Sequence, residues 1–512
     1  MDPLHSFPLV EELVPAPDPE DVFLRMARLP HCLFCDSAVR HPGPVPNHVS
    51  SGAQKGTVPF LWRPRCRVVP ATKIGTVPHP LLGRYSFLAA DPFQFIQCPA
   101  DGGDALGVLA GQLGPLTTPT IDDLPPFQGG AAGLLSYDLG RSLETLPTPG
   151  IDELQLPSLA MGLYDVVVAF DHALGRAWII SQGFPETGAA SRRARAVERL
   201  KEARGWLTGD PGRAPRRTAA QIAMVRQGAL AAQYEVDGAA DITSNFSRQG
   251  YLQAVQRVID YIRAGDVFQV NLSQRLLCPA REESPALYRR LRACNPAPFA
   301  GYFDAGGFQV LSASPERFLC VRGREVETRP IKGTRPRTGD PRLDRPAEAE
   351  LLASEKDRAE NVMIVDLLRN DLSRVCQPES VRVSQLCGIE AYEHVLHLVS
   401  AVRGRLRDEC SPLDLLRAAF PGGSVTGAPK IRAMEIIAEL EPTARGPYCG
   451  AMGYWGFDGS LDLSILIRTI TAAGGWWQFC VGGGVVAQSV PEREYEETWH
   501  KAEGLLQAVS RP

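Results

Sequence analysis

The segment Thr328-Arg329-Pro330-Ile331-Lys332-Gly333-Thr334-Arg335-Pro336-Arg337 places one lysine among three arginines, between prolines and beside a glycine. We predict a tight turn here, because proline and glycine both interrupt regular structure. Arginine stays charged, whereas lysine can lose its proton and act as an amine nucleophile. Since neighbouring guanidinium groups disfavour a second positive charge, the pattern favours a reactive Lys332. A basic turn on a solvated surface is the competing interpretation.

The composition is that of a soluble globular protein. The chain has 512 residues, of which 44% are hydrophobic and 22% charged, enough for two or three domains or one large composite one. The formal net charge of -4 predicts no nucleic-acid partner, and no apolar run is long enough to span a membrane. The acidic, proline-bearing N-terminus resembles neither a signal nor a transit peptide, so we expect a cytoplasmic protein. The 12 cysteines are scattered and predict free thiols rather than a zinc site.

Composition along the chain suggests three parts. Residues 1–207 are predicted to form an N-terminal region of strands and short helices, and the Pro-, Gly- and basic-rich residues from about 41 to 80 a surface insertion. Residues 208–245 have the composition of a linker, and residues 246–510 carry most of the motifs. A helix is predicted to start near Ser247, as its N-cap, and to run to about Arg263 before Gly265 ends it. Met161 to Phe170 is predicted to be one buried strand because of its continuous apolar run.

Two predicted helices carry spaced carboxylates. Asp357 and Glu360 are three residues apart and share a face of the first helix. The second helix begins near Pro491, because proline suits the first turn of a helix. One face of this helix carries Glu494, Glu497 and Lys501. Brought together, these carboxylates would make an all-oxygen site suited to Mg²⁺. Two solvated helix faces with charge pairs are the alternative, and spacing alone favours that alternative.

Three elements have the character of anion-binding sites. A glycine-rich turn that includes Ser424 opens a helix and would present backbone N–H groups. Gly482, Gly483 and Gly484 follow a strand and would let a ligand approach the backbone. Arg468 ends an apolar strand, where its guanidinium could hold a carboxylate. Each element also has an interpretation without a ligand. The glycine-rich turn could be a helix cap, the three glycines a β-bulge, and Arg468 a member of a surface ion pair.

Acid–base candidates complete the set. Glu316 and Lys332 flank a predicted hairpin, and His397 lies on an apolar strand, where a histidine is usually a satisfied core residue. From the residues alone we expect an α/β or α+β enzyme that binds Mg²⁺ and a small polycarboxylate, with covalent lysine catalysis as one option.

The segment around Lys332 belongs to an ordered series of motifs that resembles the chorismate-utilising enzymes across about residues 246–505. Further pieces near Gly83 and from Phe127 to Arg141 also resemble that family. The series comprises Phe268–Arg275, Ser314–Phe318, Pro330–Arg337, Glu355–Asn361, His397–Ser400, Gly427–Lys430 and Glu494–Lys501.

The resemblance implies a fold and a second ligand pocket. The fold would be α+β, with two large, mostly antiparallel sheets packed face to face, helices outside, and N- and C-terminal parts sharing one composite core. The family also binds tryptophan in an N-terminal pocket, and Ser37 and Pro298 lie in segments that resemble parts of it.

Two positions distinguish branches of the family. Anthranilate synthases carry alanine where this chain has Lys332, and isochorismate synthases carry a lysine base where it has Gln269. The resemblance is therefore greatest to the aminodeoxychorismate synthase branch, in which the lysine attacks the substrate. An anthranilate synthase, or a non-catalytic chorismate-binding relative, remains the alternative.

The resemblance also implies roles and partners. Glu360 and Glu497 would bind Mg²⁺ directly, while Asp357 and Glu494 would act mainly through water. Lys332, Glu316 and His397 would act on chorismate. Ammonia would come from solution or from a separate glutamine amidotransferase subunit, because the chain shows no Gly-x-Cys-x-Gly nucleophile turn. The substrate-binding residues would be Gly333, Thr334, Ser424, Tyr448, Arg468, Gly482, Gly483, Gly484 and Lys501.

Overall fold

The computed structural model describes residues 7–37, 82–209, 224–236, 238–239, 241–392 and 395–510. The insertion predicted at about 41–80 lies outside the described residues, as does the 210–223 part of the predicted linker. The described helices are α1 Pro19–Met26, α2 Ala105–Leu113, α3 Ala189–Thr208, α4 Arg248–Ala264, α5 Ser284–Cys294, α6 Pro341–Ala353, α7 Glu355–Ser373, α8 Pro412–Ala419, α9 Lys430–Leu440 and α10 Pro491–Ser510.

The described strands are β1 Leu9–Leu13, β2 Leu33–Asp36, β3 Tyr85–Ala89, β4 Gln94–Cys98, β5 Gly130–Leu135, β6 Leu159–Tyr164, β7 Val166–Asp171, β8 Arg176–Ser181, β9 Tyr234–Glu235, β10 Thr243–Ser244, β11 Gln269–Pro279, β12 Phe299–Asp304, β13 Phe308–Ser314, β14 Arg317–Arg322, β15 Glu325–Arg329, β16 Ile331–Pro336, β17 Arg382–Ala391, β18 Val395–Arg405, β19 Gly427–Ala428, β20 Ala451–Gly456, β21 Leu461–Ile465, β22 Thr469–Ala473 and β23 Trp476–Val485.

These strands form two antiparallel sheets. The first has the order β1-β8-β7-β3-β2-β12-β13-β22-β23-β11-β10-β9, with β19 beside β11. The second has the order β16-β18-β15-β14-β21-β20-β5-β6-β4, with β17 beside β18. Each sheet combines strands from the N-terminal and C-terminal parts of the chain, so neither part has a sheet of its own.

The inner faces of the sheets pack on each other. The rings of Phe87 in the first sheet and Tyr454 in the second meet edge to face, with centroids 5.6 Å apart. Gly301 leaves room for the Met452 side chain, because a Cβ at this glycine would lie 2.5 Å from the Met452 methyl carbon. The predicted α+β fold, with two large antiparallel sheets and helices, is confirmed.

Helices cover the outer faces. Apolar residues of α1, α5 and α10 pack with those of the first sheet, and residues of α2, α7 and α8 pack with those of the second. The helix predicted from Ser247 is confirmed as α4, because the Ser247 hydroxyl accepts from the Gly250 N–H and Gly265 ends the helix in the left-handed conformation. Within the described ranges, no helix combines the length and apolar character needed to cross a membrane.

The prediction of one strand from Met161 to Phe170 is wrong. The chain leaves the second sheet at Tyr164 and enters the first at Val166, so the run is divided between β6 and β7. Asp165, between them, is buried and pairs with Arg195 at 3.1 Å and Arg199 at 3.3 Å. The apolar run is continuous because both strands are buried, and periodicity alone does not show the change of sheet.

Three local predictions around the motifs also change. Lys332 lies in strand β16, paired with β18, rather than in a turn. Gly482 to Gly484 belong to strand β23 instead of following it. Arg468 comes three residues after the end of β21 and has a left-handed backbone, with φ +54°. Prolines and glycines therefore mark strand irregularities here rather than chain reversals.

Candidate functional site

The Lys332 side chain points towards the glycine-rich loop before β19. Its Nζ donates a hydrogen bond to the Ser424 carbonyl oxygen at 3.0 Å. The next residue, Gly333, has φ +79°, and a Cβ there would lie 3.0 Å from Cγ of Asp357 on α7. Glycine therefore allows β16 to pass directly over the start of α7 and brings Lys332 to the carboxylate helix.

Glu316 lies beside this lysine and is buried, with 4% of its surface exposed. Burial raises the pKa of Glu316 to about 7, although a hydrogen bond with Ser424, the charge of Lys332 and the Ile331 N–H act in the opposite direction. Burial disfavours the carboxylate form more than these neighbours stabilise it. The hairpin of β14 and β15 thus joins a potential base to a potential nucleophile, as the sequence predicted.

His397 lies on β18, opposite Thr334 of β16. Its Nδ1 is 2.9 Å from the Thr334 hydroxyl. Burial, together with the charge of Arg468, lowers the pKa of His397 to about 4, so the imidazole is neutral near pH 7. A neutral imidazole can give or accept one hydrogen bond at each nitrogen.

The carboxylates of α7 and α10 lie close together. Burial and the nearby Glu497 and Asp357 raise the pKa of Glu360, with Lys332 and Lys356 opposing the shift. Lys356 connects the two helices, with its Nζ 3.8 Å from Glu360 Oε1 and 3.5 Å from Glu494 Oε1. The structure therefore brings together side chains that are more than 130 residues apart in sequence.

The glycines of β23 allow the charged face of α10 to approach the sheet. A Cβ at Gly483 would lie 3.3 Å from both Glu497 Oε1 and Lys501 Nζ. Lys501 donates to the Gly482 carbonyl at 2.8 Å and pairs with Glu497 at 2.7 Å, and its charge lowers the pKa of Glu497. The next glycine, Gly484, similarly accommodates the side chain of Gln269.

Arg468 and Tyr448 form the other end of the group. Arg468 donates to the Lys501 carbonyl at 2.5 Å, and burial lowers the pKa of its guanidinium. Tyr448 is buried, which raises the pKa of its hydroxyl. An anionic ligand would give this part-buried guanidinium a charged partner, since none of the ion pairs described in the structure involves Arg468.

The acidic residues fit a hard cation in their chemistry. Among the described residues, no three acidic, histidine or cysteine side chains converge closely enough to hold a metal as they stand. However, Glu360 Oε1 is buried and has no hydrogen-bond partner, which is costly unless a ligand supplies one. Oxygen donors from Glu360, Glu497, Asp357 and Glu494 are the set that Mg²⁺ prefers.

Sequence reasoning missed two contributors to this region. Lys356 lies within the Glu355–Asn361 motif, and its spacing of four from Glu360 is the signal that could have identified it. Arg445 is buried and pairs with Glu441 at 2.7 Å while donating to the Val425 carbonyl at 3.1 Å, next to Ser424. The contacts of Arg445 join residues that are distant in sequence, so no local motif predicts them.

A separate cavity lies between the sheets. Pro298 lines it together with Asp36, Arg317 and Tyr454. Ser37 follows Asp36, and its N–H donates to the Ser86 hydroxyl at 3.0 Å. Of the two predicted tryptophan-pocket residues, Pro298 therefore lines this cavity, and Ser37 is adjacent in sequence to the lining residue Asp36.

Comparison with known proteins identifies the family. The chain matches the family model described as chorismate binding enzyme over residues 108–507. It is 48% identical over 387 residues to anthranilate synthase component 1 of Thermus thermophilus, covering 76% of this chain and 79% of that protein. It is 41% identical over 446 residues to aminodeoxychorismate synthase component 1 of Salmonella typhimurium, covering 84% and 91%.

A solved structure agrees with these sequence matches. The crystal structure of anthranilate synthase component I from Streptococcus pneumoniae has a TM-score of 0.69 and 30% identity, covering 86% of this chain and 95% of that one. With the family model matching most of the chain, the chain belongs to the family of chorismate-binding enzymes.

Proposed function

We propose that the chain is an aminodeoxychorismate synthase component I, which converts chorismate and ammonia into 4-amino-4-deoxychorismate for 4-aminobenzoate and folate biosynthesis. Relatives of both named activities are similar at 48% and 41% identity, so identity does not distinguish them. The observation that carries the proposal is Lys332, whose Nζ lies at Ser424 beside a buried Glu316.

In the proposed reaction, the Lys332 side-chain nitrogen forms a bond to C2 of chorismate. Both double bonds of the conjugated ring diene shift, and the C4 hydroxyl leaves as water. Glu316 takes the proton released by the lysine nitrogen and returns one to the departing hydroxyl. A carboxyl group with a pKa of about 7 is suited to both transfers.

Ammonia then forms a bond to C4, both ring double bonds shift back, and the Lys332 nitrogen is expelled from C2. Ammonia loses one proton and the lysine regains one, so the net change is the replacement of hydroxyl by amino with release of water. The covalent intermediate divides one difficult substitution into two easier ones.

The remaining residues would hold the substrate. Arg468, Tyr448 and Lys501 would bind its carboxylates together with the backbone of Gly482–Gly484, Gly333 and Thr334. Neutral His397 would hydrogen-bond near the leaving hydroxyl, since it already faces Thr334. Ser424 would keep Lys332 and Glu316 in position.

Glu360 and Glu497 would bind magnesium directly, and Asp357 and Glu494 would act through water. When bound, magnesium would supply a template and compensating charge for a substrate carboxylate. The four acids otherwise repel one another, and the unpartnered Glu360 Oε1 supports a role as ligand.

Ammonia would come from a separate glutamine amidotransferase subunit. The names of the relatives, which call each of them component 1, support this part of the proposal. The cavity lined by Pro298 would take tryptophan, as a regulatory or structural ligand.

Anthranilate synthase is the second candidate, favoured by the 48% identical relative. The deciding experiment incubates the purified chain with chorismate, Mg²⁺ and an ammonium salt and separates the products by chromatography with mass detection. We expect 4-amino-4-deoxychorismate, which does not fluoresce as anthranilate does. Fluorescent anthranilate as the main product would contradict the proposal.

A parallel incubation without ammonia tests the meaning of Gln269. We expect no isochorismate, because an amide side chain has no basic nitrogen to activate water. Isochorismate formed at a rate comparable with amination would show that this interpretation of position 269 is wrong.

A further inference from the structure

Lys356 occupies a distinctive position at the carboxylate cluster. Its Nζ lies 3.8 Å from Glu360 Oε1 on its own helix and 3.5 Å from Glu494 Oε1 on α10. Among the ion pairs that the structure describes, the Lys356–Glu494 pair joins α7 to α10. The Lys356 side chain is 51% exposed, whereas those of Glu360 and Glu494 are 13% and 4% exposed. The lysine therefore reaches into the cluster from solvent and can swing out again.

The proposed function assigns both of these carboxylates to the magnesium site, Glu360 as a direct ligand and Glu494 through water. A divalent cation bound to Glu360 would lie about 2 Å from its oxygen. An ammonium within 4 Å of that oxygen would then face a dication at short range, with a repulsion that the half-buried setting screens only partly. Both cations cannot be stabilised by the same two carboxylates at once.

We propose that Lys356 is a resident counter-ion of the carboxylate cluster, which partly compensates the charges of Glu360 and Glu494 without metal and is displaced when a divalent cation binds. This inference rests on the magnesium part of the proposed function. Lys356 then acts as a positioning residue: it holds α7 against α10 before metal arrives, and it lowers the affinity for metal because its own ion pairs must break.

The test uses the metal-stripped full chain, with Mn²⁺ as the probe and electron paramagnetic resonance of free Mn²⁺ as the readout. Lys356→Met should bind Mn²⁺ about tenfold more tightly than the wild type, since one competing charge is removed. Its metal-free thermal midpoint should fall, and added Mn²⁺ should raise it by more than in the wild type. Lys356→Arg, which keeps the charge, should retain near wild-type affinity.

Arg369→Met is the matched control. It removes a cation from the same helix, where Arg369 pairs with Asp366 at 2.8 Å, and should leave Mn²⁺ affinity unchanged. A second measurement needs no variant: in the wild type, Mn²⁺ should increase modification of Lys356 by an amine-reactive reagent, followed by peptide mass spectrometry. We expect this increase because Mn²⁺ would displace the Lys356 ammonium into solvent, where the reagent can reach it.

Unchanged or weaker Mn²⁺ binding by Lys356→Met, while the wild type binds Mn²⁺, would overturn this inference and leave the proposed function intact. Absence of Mn²⁺ binding in both proteins would refute the metal site and the inference together. The product assay with chorismate and ammonia reports separately on the reaction, so the two failures are distinguishable.

Discussion

Two groups of charged residues in the described part of the chain, one buried and one part-buried, differ in how completely they are paired. In the first, Arg445 pairs with Glu441 at 2.7 Å and donates to the Asn271 carbonyl at 2.6 Å. Glu441 in turn accepts from both the N–H and the hydroxyl of Ser273 at 2.8 Å. Every charge here is compensated within the protein.

The carboxylate cluster of α7 and α10 is different. Glu360 Oε1 has no hydrogen-bond partner, its neighbours Glu497 and Asp357 carry the same charge, and the Lys356 ammonium is 3.8 Å away. A fully paired group stabilises one conformation, whereas an incompletely paired one favours a ligand that completes it. This comparison supports a scaffold role for Arg445 and the proposed ligand role of Glu360.

The largest effect should come from removing a ligand of the incompletely paired cluster. Glu360→Gln or Glu497→Gln should reduce Mg²⁺-dependent turnover by about a thousandfold or more, on the scale of losing a principal electrostatic contact. The free energy of unfolding should change by less than about 1 kcal/mol, because like-charge repulsion is relieved. Steady-state kinetics measures the turnover, and denaturant titration measures the free energy of unfolding. Full activity of both variants at limiting Mg²⁺ would show that these glutamates do not bind the metal.

The opposite pattern is expected at the paired group. Arg445→Met leaves Glu441 charged and buried without its partner, so the free energy of unfolding should fall by about 3–5 kcal/mol. Urea unfolding followed by circular dichroism checks this value.

The double variant Arg445→Met with Glu441→Leu is the matched control, because it removes both charges. It should recover much of the lost stability, since an apolar pair leaves no uncompensated charge. If Arg445→Met is as stable as the wild type, the distinction between the two groups fails.

A smaller, pH-dependent effect is expected at Glu316, whose pKa is raised from 4.5 to about 7. Between these pH values the folded state keeps the proton that the unfolded state has released, so the free energy of unfolding falls as pH rises. In the Glu316→Gln variant, the decrease in the free energy of unfolding with rising pH should be smaller by about 3 kcal/mol.

Unfolding titrations at pH 4.5 and pH 8 give the comparison, with the exposed Glu492→Gln as control. The stability of the Glu316→Gln variant relative to the wild type should increase towards pH 8. If the free energy of unfolding changes with pH by the same amount in both proteins, Glu316 is not the carboxyl group with the raised pKa.

Much of the fold and the grouping of the motifs could be predicted from the sequence. The two sheets followed from the resemblance, and α4 followed from its capping residues Ser247 and Gly265. The spacing of Glu494, Glu497 and Lys501 correctly indicated one helix face, because helical periodicity is a local property.

Other features depend on contacts that sequence order does not contain. Asp165 lies where the chain changes sheets, and its charge is paired with Arg195 and Arg199 of α3. These partners are distant in sequence, so the apolar pattern around Asp165 does not reveal them. Lys332 was predicted in a turn, but pairing with β18 makes it part of a strand. The positions of Lys356 and Arg445 likewise require the tertiary structure.

The central claim is that Lys332 is a covalent nucleophile, and intact-protein mass spectrometry tests it most directly. After incubation with chorismate and Mg²⁺ without ammonia, we expect an adduct of chorismate less water that maps to Lys332. Lys332→Arg keeps the positive charge without the nucleophile and should form no adduct and show little activity. An active Lys332→Arg enzyme, together with no adduct on the wild type, would contradict the account.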